Sequence, residues 1–280
     1  MDPSSSLRAP RPQAGRHPWA ALQVLGLCLG VLSGPLVAQV QTITLACEDK
    51  ADFPNVLGDS QEVDWGKPGA SIEFVKRLAE DLGLKVVIQR LPWKRALELE
   101  LKNGAIDGLF PVSYQKEREA FGVLPMKDGK VDDTRSLFGS AYCFYKLRTS
   151  PLTWDGKALQ RLEGPIGASR GYSIVSDLKQ LGYPVQESDD VRKDLRRLSQ
   201  GWLGAIAALE AAEDHLLEEL PELGTAIVKL QPPISTKRYF LMLSHPFVSR
   251  NPALAQKLWD KCRELREKEY PKILRKYVGK

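Results

Sequence analysis

From Thr42 onward, short apolar or β-branched runs alternate with longer stretches whose apolar residues recur every three or four positions. That is the pattern of strands alternating with amphipathic helices. Thr42 to Cys47 reads as a strand. A polar stretch carrying Pro54, Gly58, Gly66 and Pro68 follows, and then Phe74, Val75, Leu78, Ala79 and Leu82 line one face of a helix that Gly83 stops. Leu84 to Leu91 is a second strand, a helix from Trp93 through Leu97 and Leu101 ends at Asn103-Gly104, and Ile106 to Val112 is a third strand. A similar unit returns later. Pro165 to Ala168 and Val185 to Glu187 are strands, Tyr172 to Leu181 is a helix closed by Gly182, and a helix carrying Val191, Leu195 and Leu198 ends at Gly201.

The two halves share a local phrase, Ala96-Leu97 to Asn103-Gly104-Ala105-Ile106-Asp107 in the first and Asp194-Leu195 to Gln200-Gly201-Trp202-Leu203-Gly204 in the second. Leu137 to Leu147 reads as a strand leaving the first half, and Tyr239 to Leu243 as its return. Asn251-Pro252 opens a final helix with Leu254, Leu258, Trp259, Cys262 and Leu265 on its apolar face, Pro271 breaks it, and a short helix runs to Val278. The expectation is an α/β protein of two similar lobes joined by two crossing strands, with a ligand cleft beyond the carboxyl ends of the parallel strands. Residues 39–141 and 239–280 would form lobe 1 and residues 142–238 lobe 2.

Composition narrows the class. The chain has 280 residues, is 43% hydrophobic and 27% charged, and carries a net charge of +5. Those values exclude a disordered chain, a coiled coil and a polytopic membrane protein. Lys+Arg number 40 against 35 Asp+Glu, with both signs interspersed and no basic block, so no nucleic-acid partner is expected. Arg8, Arg11 and Arg16 precede the apolar run from Trp19 to Ala38, the form of a secretory signal peptide over residues 1–38, with a retained membrane anchor as the alternative. Leu27 before Cys28 argues against lipid attachment there.

Cys47, Cys143 and Cys262 then remain, an odd number without a CxxC pair, and read as small buried apolar side chains. His215 and His245 lack partners at ligand spacing, so no metal is expected. Phosphate-cradling loops, GxSxG and HExxH are absent, and neither a catalytic residue nor a cofactor is assigned.

Gly69 followed by the helix Ile72 to Leu82, Pro92-Trp93, Leu101 to Asp107, Gln115-Lys116-Glu117-Arg118, Gly167 to Ser173, and the ending Tyr239 to Val278 resemble, in that order, the family 3 extracellular solute-binding proteins. These are the periplasmic receptors for amino acids and related polar solutes. The resemblance implies the two-lobed type II periplasmic binding protein fold, a periplasmic monomer, a small-molecule solute, and as partner either the membrane permease of an ABC importer or a membrane sensor. By the same resemblance Arg118 would clamp a ligand carboxylate, and the turn Gly171-Tyr172-Ser173 would offer backbone N–H groups and a hydroxyl. Trp93 and Phe53 would supply aromatic walls, and Ser113 joins the candidate set.

Each residue also has a plainer reading: Arg118 as a solvated arginine in Lys116-Glu117-Arg118-Glu119, Ser173 as an N-cap, Trp93 and Phe53 as core. Asp107 reads as structural.

The chain departs from the family at three points. Leu209 stands where amino-acid receptors usually place an aspartate for the ligand ammonium, Gly204 replaces the aspartate of the second-lobe phrase, and the interval from Asp107 to Arg118 is one residue short. An unpaired ammonium in a closed cleft is costly, so the expected solute is carboxylate-bearing or otherwise anionic rather than a standard α-amino acid. Glu210 would point elsewhere. A sensory or accessory binding module is an alternative role, and a dehydratase of the same fold a lesser one.

Overall fold

The structure is a computed structural model that describes residues 40–279; the leader expected over residues 1–38 lies outside the described residues. The strands are β1 (Thr42–Glu48), β2 (Lys85–Leu91), β3 (Gly108–Ser113), the hairpin β4 (Met126–Lys127) and β5 (Lys130–Val131), β6 (Phe138–Leu147), the hairpin β7 (Thr153–Trp154) and β8 (Leu159–Gln160), β9 (Ile166–Ser169), β10 (Val185–Ser188), β11 (Ala205–Leu209), β12 (Ile227–Lys229) and β13 (Ser235–Leu243). The helices are α1 (Ala70–Asp81), α2 (Trp93–Arg95), α3 (Ser173–Gln180), α4 (Val191–Ser199), α5 (Glu210–Glu219), α6 (Pro221–Gly224), α7 (His245–Arg250), α8 (Pro252–Lys268) and α9 (Tyr270–Val278).

Nine strands form one sheet in the order β10-β9-β11-β6-β13-β3-β1-β2, with β12 also on β6. The order has internal symmetry. β2, β1 and β3 are parallel neighbours, and so are β10, β9 and β11; each trio is bounded by an antiparallel crossing strand, β13 on β3 and β6 on β11. β6 follows β3 in sequence yet pairs with β11, while β13 returns from the second half to β3. The two βαβ halves are thus tied by the two strands that cross between them, paired to each other from Ser235↔Tyr142 to Tyr239↔Phe138.

β1 is buried on both faces at Leu45, Ala46 and Cys47, as a central parallel strand must be. α1 covers it with Phe74, Val75 and Leu78, and α8 with Leu258, Trp259 and Cys262. The helix expected from Trp93 to Leu101 divides: α2 continues as a π-helical turn over Ala96–Leu101. β13 begins at Ser235, earlier than Tyr239, because the polar run Ser235–Arg238 finds its backbone partners on β6.

Asp107 pins β1 to β3: its Oδ2 accepts from Thr44 N at 2.9 Å and its own N–H donates to Thr44 O at 2.7 Å. Gly204, at the matching point of the second half, has no room for a carboxylate, since a Cβ there would lie 2.3 Å from Glu163 O. Among the described residues no helix is long and apolar enough to cross a membrane.

Candidate functional site

Glu48 is the last residue of β1, Ser113 the last of β3 and Leu209 the last of β11, and the Gly171-Tyr172-Ser173 turn follows the end of β9. All four carboxyl ends converge on one cavity of about 30 Å³, room for a water or two. Trp93, Arg118, Asp52 and the crossing-strand tyrosines Tyr142 and Tyr239 complete its wall. The convergence follows from topology, because parallel strands in each half deliver their carboxyl ends to the same side.

Arg118 sits in a 3₁₀ turn, Lys116–Ala120, and is only 4% exposed. The solvated reading of this residue is therefore replaced by a buried one: its Nη1 donates to Ser113 O at 2.8 Å and to Ser113 Oγ at 3.0 Å, and its Nη2 donates to Gly171 O at 3.0 Å. The guanidinium lies 5.5 Å from the centre of the Trp93 ring. Trp93 packs into the core around Ala96 and Leu109 and also donates from Nε1 to Gly171 O at 3.2 Å.

Ser113 and Ser173 meet hydroxyl to hydroxyl at 3.0 Å, and Gln115 Nε2 donates to Ser173 O at 2.9 Å. Ser173 is not the N-cap of α3; that place belongs to Tyr172, whose side chain makes no capping bond. Gly171 has φ +73°, and a Cβ on it would meet Trp93 Cδ1 at 3.3 Å, so glycine is what lets the turn reach the other half.

The structure brings Arg118, Ser113, Trp93, Gly171, Tyr172 and Ser173 together around this cavity. Phe53 is not among the residues that line the cavity; it stacks on His215 of α5 with ring centres 3.8 Å apart. Leu209 does line the cavity, and Glu210 turns away to Lys229 at 2.7 Å. Four polar wall residues went unread: Glu48, Asp52, Tyr142 and Tyr239. A signal existed for Glu48, since the last residue of the first parallel strand points at the crevice in an open α/β sheet.

Glu48 accepts a hydrogen bond from the Tyr172 hydroxyl, a second tie between the halves. Tyr239 donates to Tyr142 at 3.2 Å. Burial pushes the Glu48 carboxyl up to about 8, against the Tyr172 hydrogen bond, and the Asp52 carboxyl up to about 7, against its neighbour Asn55. Burial also pulls the Arg118 guanidinium down, from a value so high that it stays charged. Among the described residues no carboxylate comes within 4 Å of Arg118. A charge buried without a counter-ion is expensive unless something of opposite sign is there to receive it.

No protein-family model matches the chain, and no curated protein matches it in sequence. Solved structures match it closely in shape. An ancestral arginine-binding protein bound to glutamine has a TM-score of 0.66 at 17% identity, covering 86% of this chain and 100% of its own. The chain has the periplasmic binding protein fold. A histidine kinase sensor domain with similarity to periplasmic binding proteins shares this fold at a TM-score of 0.66 and 19% identity, over 86% of this chain and 97% of that one. So does the substrate-binding protein of an ABC uptake transporter from Streptococcus pneumoniae with bound histidine, at 0.65 and 16%, over 85% and 93%. Within the binding-protein fold the cavity described above lies between the lobes, where β6 and β13 are the crossing strands.

Proposed function

We propose that this chain is a periplasmic receptor that captures a small carboxylate-bearing solute between its lobes, the lobes being residues 39–141 with 239–280 and residues 142–238. The observation that carries this reading is Arg118: a buried guanidinium on the cavity wall with no carboxylate within 4 Å among the described residues. A guanidinium grips a carboxylate bidentately through two parallel N–H donors. To do so Arg118 must give up Gly171 O, and the solute's carboxylate then takes over the bridge between Arg118 and the N–H groups at the start of α3.

The cavity as it stands is smaller than any such solute, so capture needs the lobes to part about β6 and β13 and close again, a hinge motion. The closed surface is what a membrane partner reads. An ABC permease suits that role, as it does for the streptococcal protein; the sensor-domain likeness supports a signalling partner as the second reading.

Thermal shift on the purified protein across amino acids, 2-oxoacids and dicarboxylates tests the reading. A ligand at about a hundred times its Kd adds about 2.7 kcal/mol. Arg118→Ala should abolish every shift; a hit that survives that substitution counts against the clamp, and silence across the whole panel counts against a solute receptor of this class.

A further inference from the structure

We infer that Lys237, on the crossing strand β13, is a second anion anchor beside Arg118, and that the solute is two-headed, with a second carboxylate for the Lys237 ammonium. The inference rests on the solute-receptor reading above and narrows its substrate class from carboxylates to dicarboxylates.

Alternation along the two crossing strands places the residue. Successive side chains on a strand point to opposite faces. On β13, Ser235 and Lys237 are half-buried and Tyr239 is buried, while Thr236 and Arg238 are exposed, so Ser235, Lys237 and Tyr239 share the inward face. Tyr239 lines the cavity. Pairing with β6 sets Tyr142 opposite Ser235 and Ser140 opposite Lys237, and directly opposed residues share a face. Tyr142 also lines the cavity, and the Lys237 ammonium lies 5.9 Å from the centre of its ring. On the helix packed against this ribbon, Ser173 reaches the cavity and Asp177 lies one turn further along the same face of α3. The cavity wall thus continues as a polar strip between α3 and the crossing strands.

The strip is short of negative charge. The Lys237 side chain is only 15% exposed, and Asp177 is its one carboxylate partner within 4 Å among the described residues. Asp177 is the more exposed of the two, at 34%. Burial pulls the Lys237 ammonium below its ordinary value, opposed by Asp177 and assisted by the Arg118 guanidinium; the same Asp177 supports the charge on Arg118. Two buried cations therefore draw on one partly exposed carboxylate. Beside them Ser235 Oγ is buried and finds no hydrogen-bond partner among the described residues, a costly condition for a hydroxyl.

At each cation the protein supplies a stand-in for a ligand oxygen: Gly171 O on Arg118 and the Asp177 carboxylate on Lys237. A solute with two carboxylates replaces both. Its first takes Arg118 and the N–H groups at the start of α3. Its second takes Lys237, with the Ser235 hydroxyl donating to it, in charge-assisted hydrogen bonds. Asp177 turns to solvent, so the exchange strands no buried charge. A monocarboxylate leaves Lys237 on Asp177 and gains only the first half of these contacts.

The test is calorimetry of succinate, glutarate and adipate against butyrate, pentanoate and hexanoate. The best diacid should bind about tenfold tighter than the monoacid of its length. Lys237→Met keeps the stem and removes the charge; it should bring that diacid down to match its monoacid and leave the monoacid unchanged, while Lys237→Arg retains the preference. Asp177→Asn frees Lys237 of its competitor and should tighten diacids several-fold. Because Lys237→Met alone leaves Asp177 without its partner, the double variant with Asp177→Asn is measured beside it and should show the same loss of preference. Monoacids that bind as tightly as their diacids and are lost in Arg118→Ala, or a diacid preference that survives the double variant, overturn the second anchor and leave the carboxylate receptor standing. Silence from every probe overturns both.

Discussion

Arg118 donates from Nη2 to the main-chain oxygen of Gly171, 3.0 Å away on the other lobe. One side chain on the first half of the sheet is thus held by a turn on the second, and the same guanidinium is the clamp we propose for a ligand anion. Its removal has two opposed effects on the folded chain. Hydrogen bonds to a charged group contribute about 1.5–3 kcal/mol each, but burying a guanidinium without a counter-ion costs several kcal/mol. The melting temperature of Arg118→Ala should therefore fall within about 5 °C of the wild type, while its ligand-induced shift vanishes. A collapse of the fold would show that the residue is structural first.

Gly171 and Gly182 offer a matched comparison. Both have positive φ, +73° and +82°, but a Cβ at Gly182 meets nothing within 4 Å, whereas one at Gly171 meets Trp93 at 3.3 Å. Each alanine substitution should lose about 1 kcal/mol from backbone strain. Only Gly171→Ala should also weaken ligand affinity, by several-fold in calorimetry, because only there does the methyl group push on the lobe contact. Equal affinities for the two variants would contradict the placement of the turn.

Glu213 on α5 is 2% exposed, and its Oε1 finds no hydrogen-bond partner among the described residues. Burial, aided by Asp194 and Asp214, pushes its carboxyl up to about 8. The folded chain then holds a proton that the unfolded chain releases above its ordinary value near 4.3. Stability is full below that value and declines as pH rises toward 8; Glu48 and Asp52 act with the same sign. The melting temperature should drop between pH 5 and pH 8.5, and Glu213→Gln should flatten the slope and be the more stable protein at the upper end. A wild-type melting temperature that climbs over this range would count against a neutral Glu213.

Cys47, Cys143 and Cys262 are buried and, among the described residues, unpaired. Burial pushes the Cys47 thiol up to about 12 and Cys143 to about 11, and raises Cys262 further. The reactive species is the thiolate, so these three should resist a thiol reagent at pH 8 until denaturant is added. Reductant should leave the melting temperature unchanged. Rapid labelling of the native protein would place at least one of them at the surface.

The order of strands and helices was legible from the chain because it is written in local periodicity: Thr42 to Cys47 as a buried strand, Phe74 to Leu82 as one helix face, and the same grammar again from Pro165 to Gly201. The positions of Arg118 and of the Gly171 to Ser173 turn were legible too, through the ordered phrases around them. The polar start of β13 and the short helices after β11 were not, since Ser235–Arg238 carries no hydrophobic alternation and is held by pairing with β6. What only the tertiary structure decided is the charge of the cavity. Glu48 and Asp52 look like ordinary loop acids in sequence; they become cavity-wall groups whose carboxyls burial pushes up because the end of β1 folds beneath Tyr172, 124 positions away along the chain, and no local pattern encodes a contact of that span. For Arg118 the sequence left both a ligand clamp and a solvated arginine open; its burial against Ser113 and the Gly171 turn, 53 positions away, is a tertiary fact.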